Sequence, residues 1–216
     1  MAKKMTGKEL VAFCRSKIGT AYMYGMKGKV MTEANFQYLY HLYGSKFVPW
    51  SDHKKVGQVC VDCSGLISWG CGVALSSAGW HAKAKQEGHV YSIGSLAKAP
   101  VGALLWCEGH IGVYIGKENG VHTYIAADGS KYGVRKAPIS ANKFTHWLLA
   151  ESVFDYETEG EEVVEKKKIY VEGKAVNMNC ILKDDINFVK LREIAAALGY
   201  DVTVKNGDIY LTKRAA

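Results

Sequence analysis

The chain has 216 residues, 48% of them apolar, and a formal net charge of +7. That length suits one or two domains with a real core, and no apolar run approaches the ~20 residues that a membrane-spanning helix needs. The start, MAKKMTGKEL, has lysines but no apolar stretch behind them, so no secretory signal is read and synthesis in the cytoplasm is expected. Charge divides unevenly: residues 1–154 carry 18 Lys and Arg against 9 Asp and Glu, whereas residues 155–216 carry 10 against 12. A basic first part favours an anionic partner, but no motif supports nucleic acid.

In chain order, TGKELVAFCRSKIG opens with Thr6 and Glu9 in capping-box spacing, which predicts an amphipathic helix. MTEANFQYLYHLYG predicts a second, with Phe36, Tyr40 and Tyr43 on one face and Gly44 as its stop. In VCVDCSGLISWG, residues 59–62 alternate like a strand end. Leu66, Ile67, Val73 and Leu75 then recur at roughly helical spacing. Cys63 therefore falls in the first turn of a third helix with Asp62 as N-cap, where unpaired N–H groups and the macrodipole favour a thiolate.

From about residue 102 the pattern turns to strands: GALLW, HIGVYIG, VHTYIAA and YGVRKA, with Asn119-Gly120 as a hairpin turn. Helices followed by antiparallel strands make an α+β domain over 1–154. Residues 155–167 form a charged linker. Residues 168–216 form a small ββαββ domain, with turns at Glu172-Gly173 and Asn206-Gly207.

The six cysteines show no paired metal-site spacing, and Cys60-x-x-Cys63 is a lone pair without a thioredoxin-like βαβ context. No phosphate loop, glycosidase carboxylate pair or zinc motif appears, so no cofactor is expected. A nucleophilic cysteine needs a base. Of seven histidines, His110 stands out, because it opens a strand between Gly109 and IGVYIG that can pack against the Cys63 helix.

DCSGLISW and GHIGVYIG, in that order, resemble the signature motifs of NlpC/P60 cysteine peptidases. GTAYMYG (19–25) resembles that family's upstream motif, and PVGALLW its proline-glycine strand entry, with Ala103 in place of an acidic residue. The likeness spans roughly residues 8–150 and implies a papain-like fold. It also implies hydrolysis of peptidoglycan stem peptides at the bond between D-γ-glutamate and a diamino acid, through an acyl-enzyme. By position, it makes Cys63 the nucleophile and His110 the base. The Cys63 N–H and Tyr22 hydroxyl become oxyanion donors, and Asp62 and Ser64 hold the substrate's amino end.

Counting twelve residues on from His110, as in many members, lands on His122 as the third, orienting residue. A hairpin turning at Asn119-Gly120 instead places His122 about 20 Å away, opposite Gly116 or Lys117, with Ala126 facing His110. Three readings stay open: an earlier turn that brings His122 in, a substitute such as Asp128 or a backbone carbonyl, or a dyad. The implied partner is bacterial peptidoglycan, with an anionic wall polymer for the basic first part. A phage or prophage lysin acting on the wall after release fits a chain without a signal peptide. The alternatives are a catalytically impaired wall-binding or phage structural module, and a related thiol acyltransferase. The 168–216 segment weakly resembles copper amine oxidase N-terminal-like repeats. It has no histidine and one cysteine, so it is read as a wall-binding or self-association module and not as a copper site.

Overall fold

The computed structural model describes residues 4–156, 165–171, 174–183, 186–205 and 208–214. The chain divides into two units, Met1–Thr158 and Glu159–Ala216. The first runs through β1 (Met5–Thr6), α1 (Gly7–Ser16), β2 (Ala21–Tyr22), β3 (Lys27–Val30) and α2 (Glu33–Tyr43). A 3₁₀ turn (Trp50–Lys55) leads to β4 (Val59–Val61), α3 (Cys63–Cys71) and α4 (Ser77–Glu87). Then come β5 (Val90–Ser92), β6 (Leu104–Cys107), β7 (His110–Glu118), β8 (Val121–Ala127), β9 (Val134–Pro138), β10 (His146–Leu148) and β11 (Phe154–Asp155).

Local chemistry explains the helix ends. Thr6 and Glu9 close a reciprocal capping box on α1. Thr32 accepts the Asn35 N–H at the start of α2, and Gly44 ends it with φ 73°. Helix α3 is shorter than the apolar spacing predicted, because Gly72 turns left-handed after Cys71 and leaves Val73 and Leu75 outside. Helix α4 has no strong apolar stripe to announce it: it buries only Trp80 and Ala84.

Strands β5-β10-β6-β7-β8-β9, in that order, form an antiparallel sheet. Leu10, Cys14, Leu66, Ile67 and Trp80 from the helices cover one face with Leu104, Ile111, Val113 and Ile125. Leu105, Tyr114, Tyr124, Ala126, Phe144 and Trp147 pack on the other. Each fully buried Leu or Ile is worth about 1.5–3 kcal/mol, so this sheet is a stiff platform. A smaller sheet, β2-β4-β3, packs with α2 around Met23, Met31, Phe36 and Cys60. It delivers β4 to the start of α3.

Asn119 and Gly120 connect β7 to β8 with φ values of 51° and 80°, the two left-handed residues of a type I′ turn. Glu118 pairs Val121 and Lys117 pairs His122; after an irregularity, Tyr114 pairs Tyr124 and Val113 pairs Ile125.

The second unit contains β12 (Glu165–Val171), β13 (Lys174–Lys183), β14 (Ile186–Val189), α5 (Leu191–Ala197), β15 (Tyr200–Lys205) and β16 (Asp208–Lys213). It has one strand more than the ββαββ expectation: β14 pairs β13 directly, with Lys183 opposite Ile186. The expected linker is shorter, since Glu165–Lys167 pair with Cys180–Met178 in β12. Residues 157–164, and the expected turns at Glu172-Gly173 and Asn206-Gly207, lie outside the described residues.

Candidate active site

The start of α3 is held by one carboxylate. One oxygen of Asp62 accepts the Gly65 N–H at 2.5 Å and the Ser64 hydroxyl at 3.1 Å. Its other oxygen accepts the Gly25 N–H at 2.8 Å. The Met26 carbonyl accepts the Asp62 N–H at 2.9 Å. A Cβ on residue 65 would lie 2.1 Å from that same Met26 oxygen, which is why a glycine stands in DCSG. Asp62 thus caps the helix and ties it to the loop after Tyr22.

Cys63 is the first residue of α3 and only 7% exposed. Burial, and then the neighbouring Asp62 carboxylate, push its thiol up to about 12. Backbone N–H groups of Ile111, Ser64 and Cys63 itself pull the other way and lose. The helix start alone therefore does not produce the thiolate expected from the sequence. Desolvation outweighs it, and the thiol needs a base.

Helix α3 packs on β7, the strand that His110, the candidate base, opens. Ile111, whose N–H faces the Cys63 sulfur, directly follows His110 at the head of β7. The His110 Nε2 lies 3.0 Å from Asp128 Oδ1, and the Phe144 ring stacks on the imidazole with centroids 5.6 Å apart. The Asp128 side chain is 3% exposed. Burial alone would raise its carboxyl, but bonds from His110, Tyr124 and Arg135 overcome that and hold it below the usual carboxylate range. Tyr124 Oη and Arg135 Nε each donate to Asp128 Oδ2 at 2.6 Å. Burial, with Asp128 beside it, pushes Tyr124 up to about 12, so it stays a donor. An ionised Asp128 accepts a proton from Nε2, so in the neutral form of His110 the lone pair that a base requires is on Nδ1.

The third-residue expectation needs correction. His122 pairs Lys117 near the turn, and its Nδ1 lies 2.6 Å from the Tyr114 hydroxyl. The Tyr114–Tyr124 register, carried on to His110, falls on Asp128 and not on Ala126. Ala126 lies buried across from Gly112 and pairs Arg135 in β9.

Tyr22 pairs Val61 next to Asp62 and Cys63. Burial, then the charges of Cys63 and Asp62, raise its phenol strongly, so it too remains a hydrogen-bond donor. The Tyr22 carbonyl accepts Lys55 Nζ at 2.8 Å, and Lys55 pairs with Asp52 at 2.8 Å. These two side chains are 8% and 5% exposed. Asp52 also accepts the Ser130 hydroxyl. This network joins β2 to the turn that follows Asp128. The sequence carried no signal for Asp52, Lys55, Ser130, Tyr124, Arg135 or Asn142, because each acquires its role through a partner distant along the chain.

Tyr22, His110, Asp128, Tyr132, Arg135 and Asn142 line an open groove of about 340 Å³. A second cavity of about 420 Å³, within the second unit, is apolar, lined by Leu191, Ile194, Leu198 and Leu211 among others. No group of three His, Cys, Asp or Glu is placed to hold a metal ion among the described residues. A thiol, an imidazole bonded through Nε2 and a buried carboxylate behind it are the groups that nucleophilic acyl transfer uses.

No protein-family model matches the chain, and no curated protein matches it. Among solved structures it is similar to the P60 domain of an antigen from M. avium subspecies paratuberculosis. Identity is 21% and the TM-score 0.43, with 67% of this chain and 93% of that one covered.

Proposed function

We propose that this chain is a cysteine peptidase of the NlpC/P60 kind that cleaves peptidoglycan stem peptides at the D-γ-glutamyl–diamino acid bond. One observation carries the reading: His110 is anchored through Nε2 on an ionised, buried Asp128 while its neighbour Ile111 faces the Cys63 sulfur. His110 Nδ1 takes the proton from Cys63 Sγ, and the resulting thiolate attacks the γ-carbonyl carbon. Tyr22 Oη and the Cys63 N–H then stabilise the oxyanion. The imidazolium returns the proton to the leaving amine, and water, deprotonated by the same imidazole, hydrolyses the thioester. Asp62 and Ser64, already bonded to each other, offer their remaining lone pairs to the substrate's amino end.

The substrate class rests on the resemblance of DCSGLISW and GHIGVYIG to the signature motifs of that family, and the basic first unit suits an anionic wall. A lysin of phage or prophage origin is the setting we favour, with the second unit binding wall or self-associating. Purified peptidoglycan should be digested with the wild type and with Cys63→Ala, and the fragments read by mass spectrometry. The reading expects new diamino acid amino termini in the wild-type digest alone. Absence of fragments from every wall type tested would overturn it, and products carrying a new acceptor amine would indicate an acyltransferase.

A further inference from the structure

Arg135 is the permanent cation among the described residues that line the groove. It sits in β9 opposite Ala126, with its Nε donating to Asp128 Oδ2 at 2.6 Å. Its guanidinium carbon lies 3.9 Å from the centre of the Tyr132 ring. The Asp128 bond, a further interaction with the Tyr124 hydroxyl and the stacking contact fix the plane of the fork, and the side chain is still 29% exposed. A guanidinium has five N–H donors; Asp128 engages the one on Nε and Tyr124 interacts with the group as well, and two partners do not use up five donors.

The neighbouring polar groups have the same sign. Asn142 directs its Nδ2 at Asp128 and Tyr124, at 3.4 and 3.5 Å, while its Oδ1 accepts the Lys143 N–H at 2.8 Å. The Tyr22 phenol is a donor as well. The Asp128 oxygens already face His110, Tyr124 and Arg135. Around Arg135 the groove therefore offers mainly donors, since the Asp128 oxygens and the Asn142 Oδ1 are already engaged. It suits an acceptor-only carboxylate. A carboxamide would set its own N–H₂ against those donors.

We propose that Arg135 is a specificity residue that binds a free carboxylate on the acyl side of the scissile bond, so that the site selects γ-D-glutamyl residues whose α-carboxylate is free over their α-carboxamides. The inference rests on the peptidoglycan reading above and adds to it a prediction of which chemical form of the wall is accepted.

Direct binding tests it without turnover. Protein carrying Cys63→Ala is titrated with L-Ala-γ-D-Glu and with the same dipeptide bearing an α-carboxamide, followed by NMR or calorimetry. The titration is repeated with Arg135→Gln and Arg135→Lys added. The loss of charge-assisted bonds predicts that the acid binds about 10–100-fold more tightly than the amide. Arg135→Gln should bring that preference below about threefold, with Arg135→Lys between, since lysine keeps the charge and loses the fork. Equal affinities in the parent, binding of neither ligand, or a preference that survives Arg135→Gln would each overturn the proposal. Should Arg135→Gln fail to fold, an undiminished preference in Arg135→Lys overturns it equally. An acid preference in a protein that releases no wall fragments would instead overturn the hydrolase reading and leave this inference standing.

Discussion

The two ends of the β7–β8 ladder carry the same side chain in opposite circumstances. At the turn end, His122 pairs Lys117 and bonds the Tyr114 phenol; burial, and then Lys117, lower its pKa. At the open end, His110 meets an ionised carboxylate that Tyr124 and Arg135 also hold. One imidazole is bonded to a phenol and the other is oriented by a buried carboxylate, as a base would need to be. What separates them is the partner that the register sets opposite, counted outward from the Asn119-Gly120 turn. Spacing along the chain points to His122, whereas pairing across the sheet sets Asp128 against His110.

The sharpest way to break this contrast is Asp128→Asn, which keeps the shape but no longer demands a proton on His110 Nε2. Turnover on peptidoglycan should fall on the order of 10³–10⁴-fold, measured by fragment release; a loss under tenfold would make Cys63 and His110 a dyad. Next is the thiol itself. Because burial holds Cys63 up to about 12, His110→Ala should slow its alkylation by iodoacetamide at pH 7 at least about tenfold.

Asp128 should also appear in stability. Its carboxyl is depressed in the fold, so its contribution is complete above the unfolded value of about 3.9 and fades as pH falls through the lower folded value. Urea unfolding at pH 7 should therefore find Asp128→Asn less stable by about 2–3 kcal/mol. The gap should narrow on acidification below about pH 4. The smallest effect is expected at the other end of the ladder: His122→Ala should change turnover by less than about twofold and cost about 1 kcal/mol through the lost Tyr114 bond. A large loss of turnover in that variant would erase the contrast.

Much of the N-terminal unit was legible because its signals are local. The Thr6–Glu9 box, the Asp62 cap, the Gly44 stop and the Asn-Gly turn each act within a few residues, and each forms. The positions of Cys63 at the head of α3 and His110 at the head of β7 were legible from the motifs around them. Arg135, Lys55 and Asp52 were not. A charged residue on a strand or turn looks like a solvated one until its partner arrives, and Lys55 meets Tyr22 and Ser130 at separations of 33 and 75 residues. Helix α4 was missed for want of an apolar stripe. Strand β14 was missed because the charged pair Asp184-Asp185 before it reads as loop.

Asp62 bonds both the first turn of α3 and Gly25, three residues after Tyr22. Cys63 and the phenol proposed to steady the oxyanion therefore share a single clamp. Thermal or chemical damage that frees this carboxylate would unseat both together. Inactivation should then be all-or-none in character, with no half-competent species that binds the carbonyl oxygen but lacks an aligned sulfur.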